Sequence, residues 1–333
     1  MHEALYYEKQ EDGVVCTLCP HFCRIRPGKE GICRSRYHQD NILVTANYGK
    51  VSALHFDPIE KKPLYHFHPG RVIFSIGSTG CNLQCSFCQN AEISQTSPSD
   101  FFHLHEYTPQ QLIDLALQKS GNVGIAFTYN EPAVWYEYML DIAVLSAEAG
   151  LKNVMVTNGY INPAPLDQLL PLMNAFSVDL KAFTEEFYHK VTKAKLEPVK
   201  DTLQRIRQAG KHLEITNLVI PTQNDDESVF DAMCRWIADE LGPDTVLHLS
   251  RYFPAYKMTI PGTPAQTLIH LRQLARKYLD YVFIGNISLP EGNDTVCNRC
   301  GQTVITRTGY LISAPGLDAS GKCVKCGNPI AVV

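Results

Sequence analysis

The chain has 333 residues, 45% of them hydrophobic and 19% charged, with a formal net charge of −4. That is enough apolar material for a sizeable core and excludes general disorder, while no whole-molecule basic field points to nucleic acid or an anionic membrane. The amino terminus, Met1-His2-Glu3-Ala4-Leu5-Tyr6-Tyr7-Glu8, lacks the apolar stretch of a signal peptide, and no run approaches the ~18 apolar residues of a spanning helix. A cytoplasmic globular protein is expected.

The first feature in chain order is a cysteine group, Cys16, Cys19, Cys23 and Cys33. Twelve cysteines in a long chain without an export signal read as metal or catalytic sulfur rather than as disulfides. Zinc and an auxiliary [4Fe–4S] cluster both suit this first group, zinc slightly better. Arg24, Arg26, Lys29, Arg34 and Arg36 surround it with Glu30 as the lone acid, which reads as a solvated basic face ahead of an RNA contact. In the Asp57–Gly70 stretch, His66 and His68 read as packing or hydrogen-bonding residues ahead of metal ligands.

Between 71 and 290, short β-rich runs alternate with helical patterns. Strands are predicted at 72–77, 123–128, 152–157, 175–180, 212–219 and 245–250, with a further candidate at 281–285. Helices are predicted at 109–119, 133–149, 164–171, 198–209, 226–241 and 264–279. Thr108-Pro109 and Thr263-Pro264 offer helix starts, and Gly150 and Gly210 offer stops. This alternation implies βαβ units and a parallel sheet, arranged as a partial (β/α)6 TIM-like barrel. The active site of such a barrel lies at the C-terminal ends of its strands. Polar and special residues cluster there: Gly80-Cys81-Asn82, Tyr129-Asn130-Glu131-Pro132, Asn158-Gly159-Tyr160 and Asp179-Leu180-Lys181.

Cys81, Cys85 and Cys88 follow the first predicted strand with spacing CxxxCxxC. Three thiolates at this spacing can hold three corners of a [4Fe–4S] cluster and leave one iron open to a small molecule, a reading preferred to a zinc site completed by His103 or His105. Cys297-x2-Cys300 and Cys323-x2-Cys326 have the paired knuckles of a zinc ribbon, with a rubredoxin-like iron as the competing occupant. Cys234 stands alone in an amphipathic stretch and reads as a small buried hydrophobe. The organisation expected is 1–70 as a Cys-rich metal-binding module and linker, 71–290 as the core, and 291–333 as the zinc-ribbon or rubredoxin-like module.

The CxxxCxxC loop after a first strand resembles the radical SAM superfamily. The run Gly77-Ser78-Thr79-Gly80-Cys81-Asn82-Leu83-Gln84-Cys85-Ser86-Phe87-Cys88-Gln89-Asn90 resembles its pyruvate formate-lyase activating enzyme branch. The cysteine-rich start, the Asp57–Gly70 stretch and the zinc-ribbon end resemble the AmmeMemoRadiSam system proteins. This resemblance implies that Cys81, Cys85 and Cys88 are cluster ligands and that S-adenosylmethionine (SAM) chelates the open iron. Tyr129-Asn130-Glu131-Pro132 stands where the family has Gly-Gly-Glu-Pro, so Glu131, with Tyr129 and Asn130, implies contact with the methionine amino group. Lys181 of Asp179-Leu180-Lys181 would face the methionine carboxylate as a point charge. Asn158 falls in a Val156-Thr157-Asn158-Gly159 that matches Asp-Thr-Asn-Gly with its aspartate lost. Phe87, Gln89 and Tyr256 complete the implied cofactor contacts.

The chemistry so implied is reductive cleavage of SAM to methionine and a 5′-deoxyadenosyl radical that abstracts hydrogen from an unidentified substrate. An oxygen-sensitive enzyme follows, fed by a donor such as flavodoxin or ferredoxin, with AmmeMemo-type partner proteins as associates. Two alternatives are carried: activation of a glycyl radical enzyme, and a non-catalytic zinc-ribbon nucleic-acid-binding or scaffold protein.

Overall fold

The computed structural model describes residues 2–289 and 292–333. The expected boundary at 290/291 therefore lies outside the described residues. One eight-stranded sheet organises the chain. Its strands are β1 (Ala53–Pro58), β2 (Val72–Gly77), β3 (Asn122–Phe127), β4 (Lys152–Thr157), β5 (Ala175–Asp179), β6 (His212–Val219), β7 (Val246–Arg251) and β8 (Val282–Gly285). They lie side by side in chain order, with β2 to β8 all parallel and β1 antiparallel to β2. Among the described residues the edges β1 and β8 do not pair, so the barrel is partial, as expected.

The helices between the strands form for local reasons. Thr108 and Gln111 make a reciprocal capping box at the start of α1 (Pro109–Gln118). In α4 (Glu197–Gln208), introduced after α2 (Tyr136–Glu148) and α3 (Pro163–Leu169), the buried residues Val199, Thr202, Leu203 and Ile206 fall at helical spacing on one face. Asp226 caps α5 (Glu227–Leu241), accepting from the backbone N–H of Ser228 at 3.0 Å and Val229 at 3.1 Å. The last helix, α6, spans Ala265–Ala275 and is shorter than expected. Cys234 is fully buried in α5, as its setting implied.

Three findings depart from the expected layout. Ala53–Pro58, read as part of the amino-terminal module, is the edge strand of the main sheet. The helix expected from 133 begins as a 3-10 turn, Pro132–Trp135, because the Glu131 side chain caps it through the Ala133 N–H before the α-helix starts at Tyr136. A π-helical turn, Tyr188–Thr192, follows β5.

The amino-terminal hairpins share the barrel's core: Val14, Ile25 and Leu43 belong to the same apolar cluster as Phe74 and Ile76. A buried Arg36–Glu137 ion pair ties them to α2. The carboxy-terminal module has its own core, in which Cys297, Val304, Ile305 and Cys323 pack on Tyr281 and Phe283.

The barrel floor joins these parts. Glu214 on β6 is fully buried and accepts four hydrogen bonds, from Tyr65 N (2.9 Å), His66 N (2.7 Å), His212 Nε2 (2.9 Å) and His248 Nε2 (2.6 Å). His66 meets Thr295 at 3.0 Å, and the Arg307 guanidinium stacks on the Tyr65 ring at 4.3 Å. The Tyr65–His66 stretch is thus a buried clamp between core and carboxy-terminal module.

Candidate active site

The loop carrying Cys81, Cys85 and Cys88 leaves the end of β2 through Gly80, whose φ of +89° lies in the left-handed region. A Cβ there would meet Ser35 Oγ at 2.1 Å and the Cys33 carbonyl oxygen at 2.5 Å. Glycine is required because two cysteine-bearing segments meet at this point. The loop is pinned on its far side by backbone bonds from Gln84 to Thr192 (2.9 Å) and from Ser86 to Val191 (3.2 Å), both on the π-helical turn. Wide turns of this kind recur at functional sites.

A cavity of about 350 Å³ opens beside the loop. Of the residues singled out from the sequence, Cys81, Cys85, Phe87, Cys88, Gln89, Tyr129, Asn130, Glu131, Asn158, Asp179 and Lys181 all line it. Tyr256 does not; it is exposed with the Lys257 ammonium 4.8 Å from its ring centre, and its turn touches the cysteine loop through the Lys257 N–H to Ser86 carbonyl bond of 2.9 Å.

Opposite charges face this cavity. Lys181 Nζ donates to Asp179 Oδ2 at 2.8 Å. Burial works against its charge, but Asp179 and Cys85 outweigh that and hold it protonated. Glu131 is 3% exposed; its carboxylate accepts from Thr157 Oγ1 (2.7 Å), Asn158 N (2.8 Å) and Ala133 N (3.0 Å). Burial nevertheless pushes its pKa up to about 7. Glu131 thereby joins the ends of β3 and β4 while presenting a carboxyl to the cavity.

Asn130 and Asn158 brace the cysteine loop. Asn130 accepts from Ser78 N at 3.0 Å and donates to the Gly80 carbonyl at 3.0 Å. Asn158 Nδ2 reaches Cys81 Sγ at 3.7 Å and Asn82 Oδ1 at 2.9 Å. Where the family has glycine, Tyr129 takes a φ of +72°, a conformation that costs a bulky residue roughly 1–2 kcal/mol. Its hydroxyl donates to Asp57 Oδ2 on the edge strand at 2.6 Å, and the Lys62 ammonium sits 4.6 Å from the ring centre and bonds Asp57 at 2.7 Å.

Lys62, Thr216, Ser250 and Asn286 also line the cavity and were not singled out beforehand. Thr216 Oγ1 is buried with no partner. The period-2 alternation of β6 already places Thr216 and Leu218 on one face; what selects that face is the sheet.

The three sulfurs suit a cluster better than a single ion. Among the described residues, the group whose ligand atoms all lie within 4.8 Å of one another is Cys297, Cys300, Cys323 and Cys326; Cys81, Cys85 and Cys88 are not such a group. The donor set is all thiol, a lysine balances its charge, and the adjoining cavity offers an acid and a base to a zwitterionic amino acid.

Residues 75–232 match the radical SAM superfamily. The chain is 42% identical over 337 aligned residues to an uncharacterized protein of Methanocaldococcus jannaschii, with 100% of both chains covered. It is 24% identical over 154 residues to the pyruvate formate-lyase-activating enzyme of Clostridium pasteurianum, covering 44% of this chain and 62% of that one. A radical SAM methyltransferase from Sphaerobacter thermophilus superposes with a TM-score of 0.51 at 16% identity, over 66% of this chain and 67% of that one. Streptococcus suis SuiB bound to precursor peptide SuiA gives 0.50 at 12% identity, over 67% and 50%. At these identities the structural likeness is one of fold. Residues 75–232 thus form a radical SAM domain, and the chain is an enzyme of that class. Within it, the chain is homologous to the pyruvate formate-lyase-activating enzymes, and the superfamily implies a [4Fe–4S] cluster, SAM and a reductant.

Among the described residues no helix is long and apolar enough to cross a membrane.

Proposed function

We propose that this enzyme uses Cys81, Cys85 and Cys88 to hold a [4Fe–4S] cluster and the cavity beside them to hold SAM, abstracting hydrogen from a substrate bound in the barrel lumen. The observation that carries the reading is the placement of Lys181 and Glu131 in one cavity wall with the three cysteines. Bound there, the cluster and SAM would supply one-electron reductive cleavage to methionine and a 5′-deoxyadenosyl radical, the species that would abstract hydrogen.

The chain's own residues orient and exclude. Lys181 attracts the methionine carboxylate, with Asp179 holding the ammonium in place. Glu131 receives the methionine amino group on carboxylate lone pairs that its protein donors leave free. Asn158 donates toward Cys81 sulfur and tunes it. Phe87, under the Lys181 ammonium at 5.8 Å, and Gln89 form the wall on the nucleoside side. Tyr129, Lys62 and Asp57 narrow the lumen, leaving a polar floor for the substrate. A low-potential donor such as flavodoxin or ferredoxin supplies the electron.

Anoxic reconstitution with iron and sulfide, followed by dithionite and SAM, should yield 5′-deoxyadenosine, and Cys85→Ala should abolish it. Undiminished product from that variant would refute the assignment. Homology to the Clostridium pasteurianum activase supports a second reading, activation of a glycyl radical enzyme. Deuterium transfer from a labelled glycyl-enzyme peptide into 5′-deoxyadenosine would establish it. The likeness of both chain ends to the AmmeMemoRadiSam proteins makes proteins of that system the partners to test by co-purification.

A further inference from the structure

We infer that Cys16, Cys19, Cys23 and Cys33 hold a second [4Fe–4S] cluster, which passes single electrons to the centre at Cys81, Cys85 and Cys88. The carboxy-terminal module supplies the internal gauge. There all four sulfurs lie within 4.8 Å of one another, with Cys297 and Cys326 at 3.6 Å and Cys300 and Cys323 at 3.7 Å. Zinc–thiolate bonds of ~2.3 Å put tetrahedral sulfurs about 3.8 Å apart, so that module has the dimensions of a zinc site.

The amino-terminal group does not contract in this way. Cys16, Cys19, Cys23 and Cys33 do not form a group of that kind, yet all four line one small cavity. A lone ion at its centre would be out of bonding reach of some of them. A cubane places four irons between the thiolates and needs a wider arrangement than a single ion does; Cys81, Cys85 and Cys88 likewise form no group of the compact kind.

The surroundings fit a redox centre. Leu18, Ile25, Ile32 and Val134 wall the cavity with hydrocarbon, and the buried Arg36 also lines it. Arg36 Nη1 lies 3.9 Å from Cys16 Sγ, and its Nε has no partner. A cation and N–H donors beside the sulfurs offset the negative charge of a thiolate-bound cluster and tune its potential.

The two centres share a wall. Asn82, between Cys81 and Cys85, lines the amino-terminal cavity, and its carbonyl accepts from His21 Nε2 at 2.7 Å. Ser35 Oγ donates to the carbonyls of Cys33 and Thr79, each at 3.2 Å, across the contact that Gly80 permits. A layer of backbone thus separates the cysteine groups. In the transfer, an external one-electron donor is oxidised as the amino-terminal cluster goes from 2+ to 1+. That cluster returns to 2+ as the one at Cys81 becomes 1+, and no bond or proton moves. The direction of flow rests on the proposed function; the existence of the second cluster does not.

The test is anoxic reconstitution of the full chain with iron-57 and sulfide, followed by counts of iron, sulfide and zinc with Mössbauer and EPR spectra. Wild-type protein should carry two cubanes, roughly eight irons, and one zinc. The triple variant Cys81→Ala/Cys85→Ala/Cys88→Ala should keep a reducible [4Fe–4S] signal that SAM does not shift. The variant Cys19→Ala/Cys23→Ala should lose that signal, keep the SAM-responsive one, and lose most of its rate of reduction by flavodoxin in rapid mixing. One cubane with two zincs in the wild type overturns the inference even if the variants fail to fold. An unchanged reduction rate in the Cys19→Ala/Cys23→Ala variant overturns the relay. Loss of the SAM-responsive signal from the wild type, with the other cubane present, would instead count against the proposed function.

Discussion

Replacing Glu214 by glutamine tests whether the barrel floor is a structural clamp rather than part of the chemistry. The carboxylate is fully buried and accepts four hydrogen bonds of 2.6–2.9 Å, two from the Tyr65 and His66 backbone and two from His212 and His248. Glutamine cannot reproduce this, because its NH2 group would face donors where an acceptor is needed. Breaking a buried charged network by removing one partner costs about 3–5 kcal/mol. At roughly 2–4 °C per kcal/mol, the melting temperature should fall by about 10 °C. Acid should erase the difference. Burial raises the Glu214 pKa, but hydrogen bonds from His212 and His248 outweigh it and hold the carboxyl well below its ordinary value. Its stabilisation is therefore complete above the unfolded-state pKa, near ~4.5, and is lost as pH falls toward the folded value. The assay is anoxic calorimetry of zinc-replete wild type and Glu214→Gln at pH 7.5 and in steps down through pH 4.5. A neutral-pH difference below about 2 °C, or one that grows on acidification, would refute the clamp.

Lys181→Met should weaken SAM binding by about 10- to 100-fold, the loss of one charge-assisted bond, as read by equilibrium dialysis; undiminished binding would remove Lys181 from the site. Tyr129→Phe deletes the 2.6 Å bond to Asp57 and should destabilise the protein by about 1–3 kcal/mol without lowering its iron content. Denaturant titration with iron analysis separates the two effects. Cys300→Ser should release the carboxy-terminal metal and make residues 297–330 protease-sensitive while the barrel stays resistant. Limited proteolysis with metal analysis reads both, and a protected module without metal would contradict the zinc-ribbon assignment.

The cysteine spacings were legible in the sequence because they are local: which sulfurs share a loop is set by a few intervening residues. The strand–helix alternation was legible for the same reason, as hydrophobic period and caps act over one or two turns. These placed Cys81, Glu131, Asn158 and Lys181 at strand ends, where the fold brings them into one cavity. Short range also explains the misses. The β1 edge strand, Ala53–Pro58, alternates over only Leu54-His55-Phe56-Asp57, with Phe56 exposed and Asp57 buried, and is defined by its pairing with β2.

Asn130 looked like a missing glycine until its amide was seen bridging Ser78 and Gly80. Tyr129, Lys62 and Asp57 come from separate segments and meet where β1 lies beside the lumen. Three of the four donors to Glu214 gave no sign in the sequence: two come from a loop some 150 residues earlier and one from β7, while His212 is its near neighbour on β6. The chain's own order thus determined the class of chemistry, since ligand type and spacing are covalent facts. Only the assembled sheet decided which polar residues face inward and how far apart each group of sulfurs stands, because those distances are fixed by contacts between segments remote along the chain.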